Sequence, residues 1–261
     1  MTAQGLSLRI GELDFHFEDQ GQGVPTLLFI HSWGGSRRTW SEVINRLSNL
    51  YRCVAPDLRG WGQSDRTAQD YSLFAQADDI QGLIKALELK DFVLVGHSMG
   101  GKIALILAGR RPPGLRSVVL VAPAPPTPFK ILDEQKAAML DSHATRDGVS
   151  DALHVLTHRP LTDAQREQVT EDTLGGAPRA KIAWVSQGMP LDISEQAAAI
   201  SAPVYVIVGS ADQMGSEAVL RQALLPLVPQ ARFEILEGIG HLPPLEAPGS
   251  LADALSDFLA S

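Results

Sequence analysis

The sequence has almost no cysteine. Cys53 is the only one among 261 residues, so an intrachain disulfide is excluded. This cysteine lies in the apolar run 51–55, which favours a buried structural thiol over a reactive one. The framework of the protein must therefore come from packing and hydrogen bonds.

A basic surface stripe is also missing. The chain carries 22 Lys and Arg against 30 Asp and Glu, a formal net charge of -8, and its basic residues are not clustered. Nucleic-acid binding draws most of its affinity from the neutralisation of phosphates. We therefore expect no nucleic-acid partner.

Long hydrophobic runs are absent too. No apolar run approaches the roughly 18 residues of a membrane span, and residues 1–9 lack the basic stretch and apolar core of a signal peptide. The composition, 44% hydrophobic and 20% charged, is that of an ordinary globular protein. These features predict a cytoplasmic protein with no membrane partner. A homo-oligomer is compatible with the sequence.

What the chain does have is a regular succession of short apolar runs. They predict strands at residues 6–10, 13–17, 26–30, 51–55, 92–96, 117–121, 204–208 and 232–236. The first two alternate polar and apolar residues, as in an edge hairpin, whereas the later runs are nearly continuous, as in buried parallel strands. Helical stretches separate them, at residues 39–50, 73–87, 99–110, 217–225 and 248–259. The pattern predicts an α/β fold with a doubly wound, mostly parallel eight-stranded sheet.

One long segment interrupts this alternation. A proline-rich exit at residues 122–128 is followed by five predicted helices, at 133–141, 150–158, 162–174, 178–187 and 194–200. Asp133, Ser150 and Thr162 are the expected N-caps, and Gly148 and Gly175–Gly176 the expected breaks. The segment is too long for one crossover. We interpret 124–200 as a helical lid inserted into a core of residues 1–123 and 201–261.

Residues 96–100 read Gly-His-Ser-Met-Gly and match the pattern G-x-S-x-G. The pattern alone is weak, but a predicted strand runs into it and an apolar helix leaves it. Such a tight strand-to-helix turn holds its serine in a strained conformation with the hydroxyl presented above the sheet edge. Gly96 and Gly100 remove side chains that would collide across the turn. Ser98 is therefore the candidate nucleophile.

A serine hydroxyl needs a base, and the base needs an acid that fixes its tautomer. His241 lies between glycines and prolines just after the last predicted strand, which places it in a loop at the carboxyl edge of the sheet, near Ser98. Asp212 follows the strand at 204–208; a helix-capping role is the alternative. The order Ser98, Asp212, His241 is the one expected for a nucleophile on this kind of turn.

The reaction also needs donors for an oxyanion. The backbone N–H of Met99, directly after the nucleophile, is one candidate. The other comes from the loop after strand 26–30, where we assign the N–H of Trp33, with Ser32 as the alternative. The Trp33 indole is expected to form a wall of the pocket, unless it packs on the surface.

Together these stretches resemble the lidded α/β-hydrolases, in particular the bacterial esterase and non-haem haloperoxidase-like (perhydrolase) branch. The matching residues are 31–35 (His-Ser-Trp-Gly-Gly), 56–65 (Pro-Asp-Leu-Arg-Gly-Trp-Gly-Gln-Ser-Asp), 96–101, 209–212 and 240–241. The resemblance implies a structural role for residues 57–64. The family usually has Gly where this chain has Ser32, whose side chain either alters the oxyanion loop or adds a hydroxyl donor.

Two other motifs are incomplete. Gly96, Gly101 and Lys102 nearly form a phosphate-binding P-loop, but Ile103 stands where a hydroxyl must reach magnesium. His154 and His158 are spaced like the zinc ligands of a metalloprotease helix, but Val155 replaces the required Glu. We expect no metal and no cofactor. His16, His97, His143 and this pair are interpreted as structural or solvated.

The predicted activity is that of a carboxylic ester hydrolase acting through an acyl-enzyme on Ser98. Residues that would line the substrate cleft are Ser32, Phe129, Met139, Leu153, Trp184 and Met189. They favour a small to medium, partly hydrophobic ester or lactone. Three alternatives stay open: carbon–carbon bond hydrolysis of a diketone or ring-cleavage product, perhydrolysis, and a ligand-sensing receptor on the same fold.

Overall fold

The computed structural model describes residues 5–129 and 131–260. Eight strands lie where the apolar runs predict them, with small differences at their ends. They are β1 (Leu6–Ile10), β2 (Leu13–Gln20), β3 (Thr26–Ile30), β4 (Cys53–Pro56), β5 (Phe92–His97), β6 (Leu115–Val121), β7 (Val204–Gly209) and β8 (Arg232–Leu236).

All eight strands form one sheet, in the order β1-β2-β4-β3-β5-β6-β7-β8. β1 and β2 pair as an antiparallel hairpin, and β2 runs antiparallel to β4. The pairs from β4 to β8 are parallel. The predicted doubly wound, mostly parallel sheet is confirmed. Because β3 and β5 to β8 point the same way, the loops that follow them meet at one edge.

The helices are numbered along the chain. They are α1 (Ser41–Leu47), α2 (Leu73–Ala86), α3 (Met99–Gly109), α4 (Asp133–Ser142), α5 (Arg146–Leu156), α6 (Asp163–Gly175), α7 (Pro178–Ala183), α8 (Ser194–Ala198), α9 (Glu217–Leu224), α10 (Pro243–Glu246) and α11 (Pro248–Ala260). A 3₁₀ turn at Arg37–Trp40 precedes α1 and a π-helical turn at Trp184–Gly188 follows α7.

Side chains on the two faces of the sheet enter two separate apolar cores. Leu28 and Ile30 of β3 pack on one face with α2, α3 and α9, while Leu27 and Phe29 pack on the other with α1 and α11. Successive residues of a strand point to opposite faces, so a central strand covered by helices on both sides must be apolar throughout. β3 and β5 are central strands of this kind and are buried at every position, which accounts for their nearly continuous apolar sequences.

Five helices, α4 to α8, lie between β6 and β7, within the segment 124–200 that we call the insert. Their type follows the prediction, but one predicted start and two of the predicted N-caps are wrong. α4 begins after Leu132 rather than capping on Asp133, and α5 begins after Thr145, whose side chain accepts from the N–H of Gly148. Thr145 is the N-cap of α5 and satisfies the free N–H of Gly148. Gly148 and Ser150 therefore lie inside the helix rather than at its start.

The boundaries of α6 agree with the prediction. Thr162 caps α6 and forms a capping box with Gln165, and α6 ends at Gly175. The sequence does not predict the short helix α10, which follows His241, because its two prolines are typical of a loop. They occupy the first turn, where a missing N–H costs nothing. Along residues 5–129 and 131–260, no helix is both long and apolar enough to span a membrane.

Candidate active site

The turn between β5 and α3 holds Ser98 in a conformation that L-residues rarely adopt. Its φ is 51° and its ψ is -113°, which costs on the order of 1–3 kcal/mol and persists only where the surroundings enforce it. The Ser98 N–H donates to Val121 O (3.1 Å), and Ser98 O accepts from the Ala124 N–H (3.1 Å). The strained turn predicted from the motif is thus present.

Glycines on either side of Ser98 make this turn possible. A Cβ at Gly96 would lie 2.4 Å from Gly100 O, so a side chain would collide across the turn, as expected. A Cβ at Gly100 would instead lie 2.3 Å from Ile30 O. The second glycine therefore lets α3 approach β3, which brings Ser98 next to the loop that follows β3.

Three side chains from the loops after β5, β7 and β8 form one hydrogen-bonded chain. His241 Nε2 lies 3.0 Å from Ser98 Oγ, and His241 Nδ1 lies 2.8 Å from Asp212 Oδ2. The carboxylate can only accept, so Nδ1 carries the proton and Nε2 is left to accept from the serine hydroxyl. This is the geometry that a serine nucleophile, its base and its orienting acid require.

Asp212 is held as a carboxylate. Its side chain is fully buried, and burial by itself raises its pKa. The hydrogen bond from His241 and those from the N–H groups of Met214 (2.7 Å) and Gly215 (3.3 Å) outweigh burial, so the pKa is lowered overall. The acid is therefore ionised at neutral pH and can stabilise an imidazolium on His241.

The backbone around His241 is fixed on every side. Its N–H donates to Leu156 O at the end of α5 (2.7 Å), and its carbonyl accepts from His97 Nε2 (2.8 Å). The buried Glu246 accepts from the N–H groups of Gly240 and Leu242, both at 3.0 Å. Sequence reasoning missed Glu246, because its partners are backbone amides that leave no residue signature.

His97, interpreted from the sequence as structural or solvated, precedes Ser98 and is fully buried. Burial lowers its pKa to about 3, so the imidazole is neutral. A neutral ring that donates through Nε2 to the His241 carbonyl holds the base but cannot compete with it for the serine proton. His97 therefore supports the backbone of His241 and is not part of the hydrogen-bonded chain of Ser98, His241 and Asp212.

The loop after β3 carries Trp33, one of the two predicted oxyanion donors. The buried His31 donates from Nδ1 to Ser32 O (2.7 Å) and accepts at Nε2 from the Leu58 N–H (3.0 Å). This hydrogen-bond pattern requires a neutral ring, and burial lowers the pKa of His31 accordingly. Within the described parts of the chain, the amides of Trp33 and Met99 donate to no other residue. Both therefore remain free for a ligand.

A cavity of about 420 Å³ opens above Ser98 and His241, a size typical of small-molecule sites. The lining includes five of the six residues expected to contact substrate: Ser32, Phe129, Met139, Trp184 and Met189. Trp33 lines it as well. Most of the other lining groups are apolar and come from the insert.

The expectation for Leu153 is wrong. Its side chain is buried in a small apolar cluster with Val149, Leu161, Leu242 and Leu245. On a helix, residues one or two positions apart face different directions, so Asp151, Ala152 and Val155 of α5 line the cavity while Leu153 faces the core of the insert. The sequence shows that Leu153 is apolar but not which neighbours its side chain meets.

Sequence reasoning also missed His143 as a lining residue. Its ring stacks on the Trp33 indole with centroids 3.6 Å apart, and burial lowers its pKa to about 4. Asp151 is the one carboxylate among the described lining residues, and no Lys or Arg is among them. The cavity is thus apolar with a single negative charge at its exposed side.

The structure also shows where the residues of the two incomplete motifs lie. Lys102 is fully buried and donates to the carbonyls of Gly188 (3.1 Å) and Leu191 (2.6 Å), which ties α3 to the insert; burial lowers its pKa to about 8. α5 ends at Leu156, so His154 and His158 do not share a helix face. Within residues 5–129 and 131–260, no group of three His, Cys, Asp or Glu side chains could hold a metal ion.

The chain and its fold are similar to those of several known proteins. The chain is 28% identical to a non-heme chloroperoxidase, CPO-A1, from Kitasatospora aureofaciens, covering 88% of this chain and 89% of that protein. Its structure is similar to a bromoperoxidase from Bacillus anthracis (TM-score 0.90, 19% identity, 99% and 100% of the two chains). It is also similar to a thermophilic esterase from Thermogutta terrifontis (TM-score 0.81, 26% identity, 99% and 98%).

A family model covers more than half of the chain. Residues 25–174 match the alpha/beta hydrolase fold model, and this range contains Ser98 on its turn, the loop after β3 and most of the insert. The eight-stranded sheet and its crossovers are those of the same fold. The chain belongs to the α/β-hydrolase fold family.

Proposed function

We propose that this protein is a serine hydrolase that cleaves small to medium, partly hydrophobic carboxylic esters or lactones. The observation that carries the proposal is the hydrogen-bonded chain from Ser98 through His241 to Asp212 at the floor of an apolar cavity. A histidine poised to take a serine proton, with a buried carboxylate behind it, is the arrangement of acyl transfer.

In the first half of the reaction Ser98 Oγ attacks the substrate carbonyl and its proton passes to His241 Nε2. The carbonyl oxygen becomes an oxyanion, which the amides of Trp33 and Met99 stabilise. Asp212 stabilises the imidazolium on His241. The carbon–oxygen bond of the ester then breaks, and the alcohol leaves with the proton that His241 returns.

In the second half, water attacks the acyl group on Ser98 and gives a proton to His241. The same two amides hold the second oxyanion. When this intermediate collapses, Ser98 regains its proton from His241 and the carboxylic acid is released. Both halves use one base and one pair of donors, so no further group is required.

The apolar lining supports an uncharged substrate. Phe129, Met139 and Met189 offer contacts to an acyl or alkyl chain, and methionine adapts to chains of different shape. With Asp151 at the cavity wall and no described cation among the lining residues, a substrate carboxylate would find no partner. We infer that the insert acts as a lid over this cavity.

Replacement of the nucleophile is the first test. Ser98→Ala should abolish turnover of p-nitrophenyl esters and should also abolish covalent labelling by a fluorophosphonate, measured by intact mass. Ser142→Ala removes another serine that lines the cavity and serves as the matched control. Wild-type turnover in Ser98→Ala would refute the assignment.

Perhydrolysis is a second candidate, supported by the likeness to the non-heme chloroperoxidase. The acyl-enzyme would then be attacked by hydrogen peroxide instead of water, releasing a peracid. The two activities can be separated by measuring peracid and carboxylic acid from the same ester with increasing peroxide. A product mixture that stays free of peracid would leave only hydrolysis.

A further inference from the structure

The loop that carries the Trp33 amide is bonded to a helix of the insert. Asp172 of α6 accepts from Ser36 Oγ at Oδ2 (2.8 Å) and from Arg38 Nη2 at Oδ1 (2.6 Å). Arg38 Nε reaches the same oxygen at 3.1 Å. Only 5% of the Asp172 side chain is exposed, and charge-assisted bonds of this kind are the strong ones in a protein interior.

Ser36 transmits this contact to the backbone. Its hydroxyl also accepts from the Arg38 N–H (3.1 Å) and so caps the 3₁₀ turn at Arg37–Trp40. The neighbouring Thr173 of α6 donates from Oγ1 to Gly34 O (3.0 Å). Residues 34–38 are thus held from the insert by two adjacent side chains of one helix.

The opposite side of the loop is held by the core. Asp57 accepts from the Arg37 N–H (2.7 Å) and pairs with the Arg37 guanidinium, and His31 holds the carbonyl of Ser32. Hydrogen bonds therefore hold the loop on one side to the core and on the other to α6. An amide that stabilises an oxyanion must be placed to within about 0.5 Å, and a backbone donor moves only when its loop moves.

We propose that Asp172 is a positioning residue that fixes the Trp33 amide for oxyanion stabilisation, through Ser36, Arg38 and the turn that they form. This inference rests on the proposed function. It makes α6 part of the scaffold of the active site, so the lid cannot open by moving α6. Asp172 touches neither substrate nor nucleophile, and its effect on the reaction is carried by the loop.

The neighbouring Glu171 supplies a matched control. It also pairs with Arg38, at Nη1 (3.0 Å), but half of its side chain is exposed and no hydrogen bond joins it to Ser36. Asp172→Asn and Glu171→Gln make the same chemical change one residue apart. If pairing with Arg38 were all that mattered, the two variants would behave alike.

The first experiment compares ester hydrolysis by these two variants. Loss of one oxyanion donor lowers kcat by about 10²–10³-fold, so a misplaced donor in Asp172→Asn should lower kcat by about 10–100-fold, with KM within about threefold. Glu171→Gln should match the wild type. Equal kcat values in both variants would overturn the inference.

The second experiment separates positioning from loss of structure. A boronic acid forms a tetrahedral adduct on Ser98 and should bind Asp172→Asn more weakly by the same factor as the fall in kcat. The ether analogue of the ester, which forms no oxyanion, should bind as it does to the wild type. Equal weakening of both ligands would mean general damage to the site and would reject the positioning role.

Hydrogen exchange provides a readout without turnover. The amides of residues 32–38 should exchange faster in Asp172→Asn than in the wild type or Glu171→Gln, and unchanged exchange would contradict the inference. If Asp172→Asn does not fold, Thr173→Val takes its place, with Thr173→Ser expected to restore the wild-type values. If the wild-type protein neither turns over esters nor reacts with the fluorophosphonate, the proposed function itself fails.

Discussion

At the scale of single residues, the site depends on groups held in one ionisation state by their surroundings. Burial keeps His97 and His31 neutral, while three donors keep Asp212 ionised. The burial of both imidazoles and the bond from His241 to Asp212 depend on residues distant in sequence, whereas the other two donors, Met214 and Gly215, lie two and three residues after Asp212. Ser98, Asp212 and His241 could be chosen from their positions after strands, but their environment only exists in the folded chain.

Removal of the Asp212 charge tests the orienting acid. Asp212→Asn would present an amide to His241 Nδ1, which favours the wrong tautomer, so we expect kcat for ester hydrolysis to fall by about 10⁴-fold. Asp163→Asn, at a carboxylate whose side chain is 96% exposed, should leave kcat unchanged. An unaltered rate in Asp212→Asn would point to another carboxylate as the acid.

His143 predicts a dependence of stability on pH. Its pKa is lowered to about 4 from the ordinary 6.5, so between these values the unfolded chain binds a proton that the native chain does not. Stability is therefore lost as pH falls from 6.5 towards 4. His143→Gln should remove about 2 kcal/mol of the loss between pH 6.5 and pH 5.

Urea unfolding at pH 7 and pH 5 measures this effect. At pH 7 the imidazole is neutral in both the native and unfolded states, so that measurement gives the cost of the substitution itself. The difference between the two pH values then isolates the proton. If the free energy of unfolding changed with pH equally in His143→Gln and the wild type, the pKa of His143 would not be lowered in the native protein.

At the scale of elements, the turn between β5 and α3 is the critical contact. Gly96 and Gly100 let the helix approach the sheet so closely that backbone atoms of β3 occupy the space of a side chain. The sequence pattern G-x-S-x-G contains this requirement. It did not reveal that the second glycine faces β3 rather than the turn itself.

Gly100→Ala should therefore separate α3 from β3. A Cβ at this position would lie 2.3 Å from Ile30 O, so we expect the free energy of unfolding to fall by about 3 kcal/mol or more and ester hydrolysis to be lost. Gly175→Ala is the control, because its Cβ would meet only Arg66 Nη2, at 3.8 Å. Equal stability of the two variants in chemical denaturation would disprove the close approach.

The elements of the insert were predicted with less success. Thr162 and Gln165 form the capping box that their spacing predicts, because a cap is a local interaction. The start of α5 was misplaced, since Thr145, Gly148 and Ser150 are all plausible end signals and local chemistry does not choose among them.

At the scale of the whole molecule, a chain with net negative charge surrounds a largely apolar cavity. The formal net charge is -8, and Asp151 stands at the cavity wall. Like charges slow the encounter of an anionic ligand with its site, and salt screens this repulsion. For the proposed ester substrates, this repulsion would favour uncharged esters before contact.

This field can be tested with a pair of esters of similar size, one neutral and one carrying a carboxylate. We expect kcat/KM for the anionic ester to rise several-fold between about 0.01 M and 0.15 M salt, as the Debye length shortens from about 30 Å to 8 Å. The neutral ester should respond little. Asp151→Asn should raise kcat/KM for the anionic ester alone; a decrease would contradict the proposed repulsion.

Sequence patterns predict the sheet, the crossover helices and the identity of the three residues that the structure brings together. These depend on local periodicity and on motifs whose spacing is set by the backbone. The contacts that support those residues are visible only in the folded chain: Glu246 and His97 around His241, and Asp172 and His143 against the loop that carries Trp33. Most of these contacts join residues far apart in the chain, and a linear pattern does not record which distant group a side chain will meet.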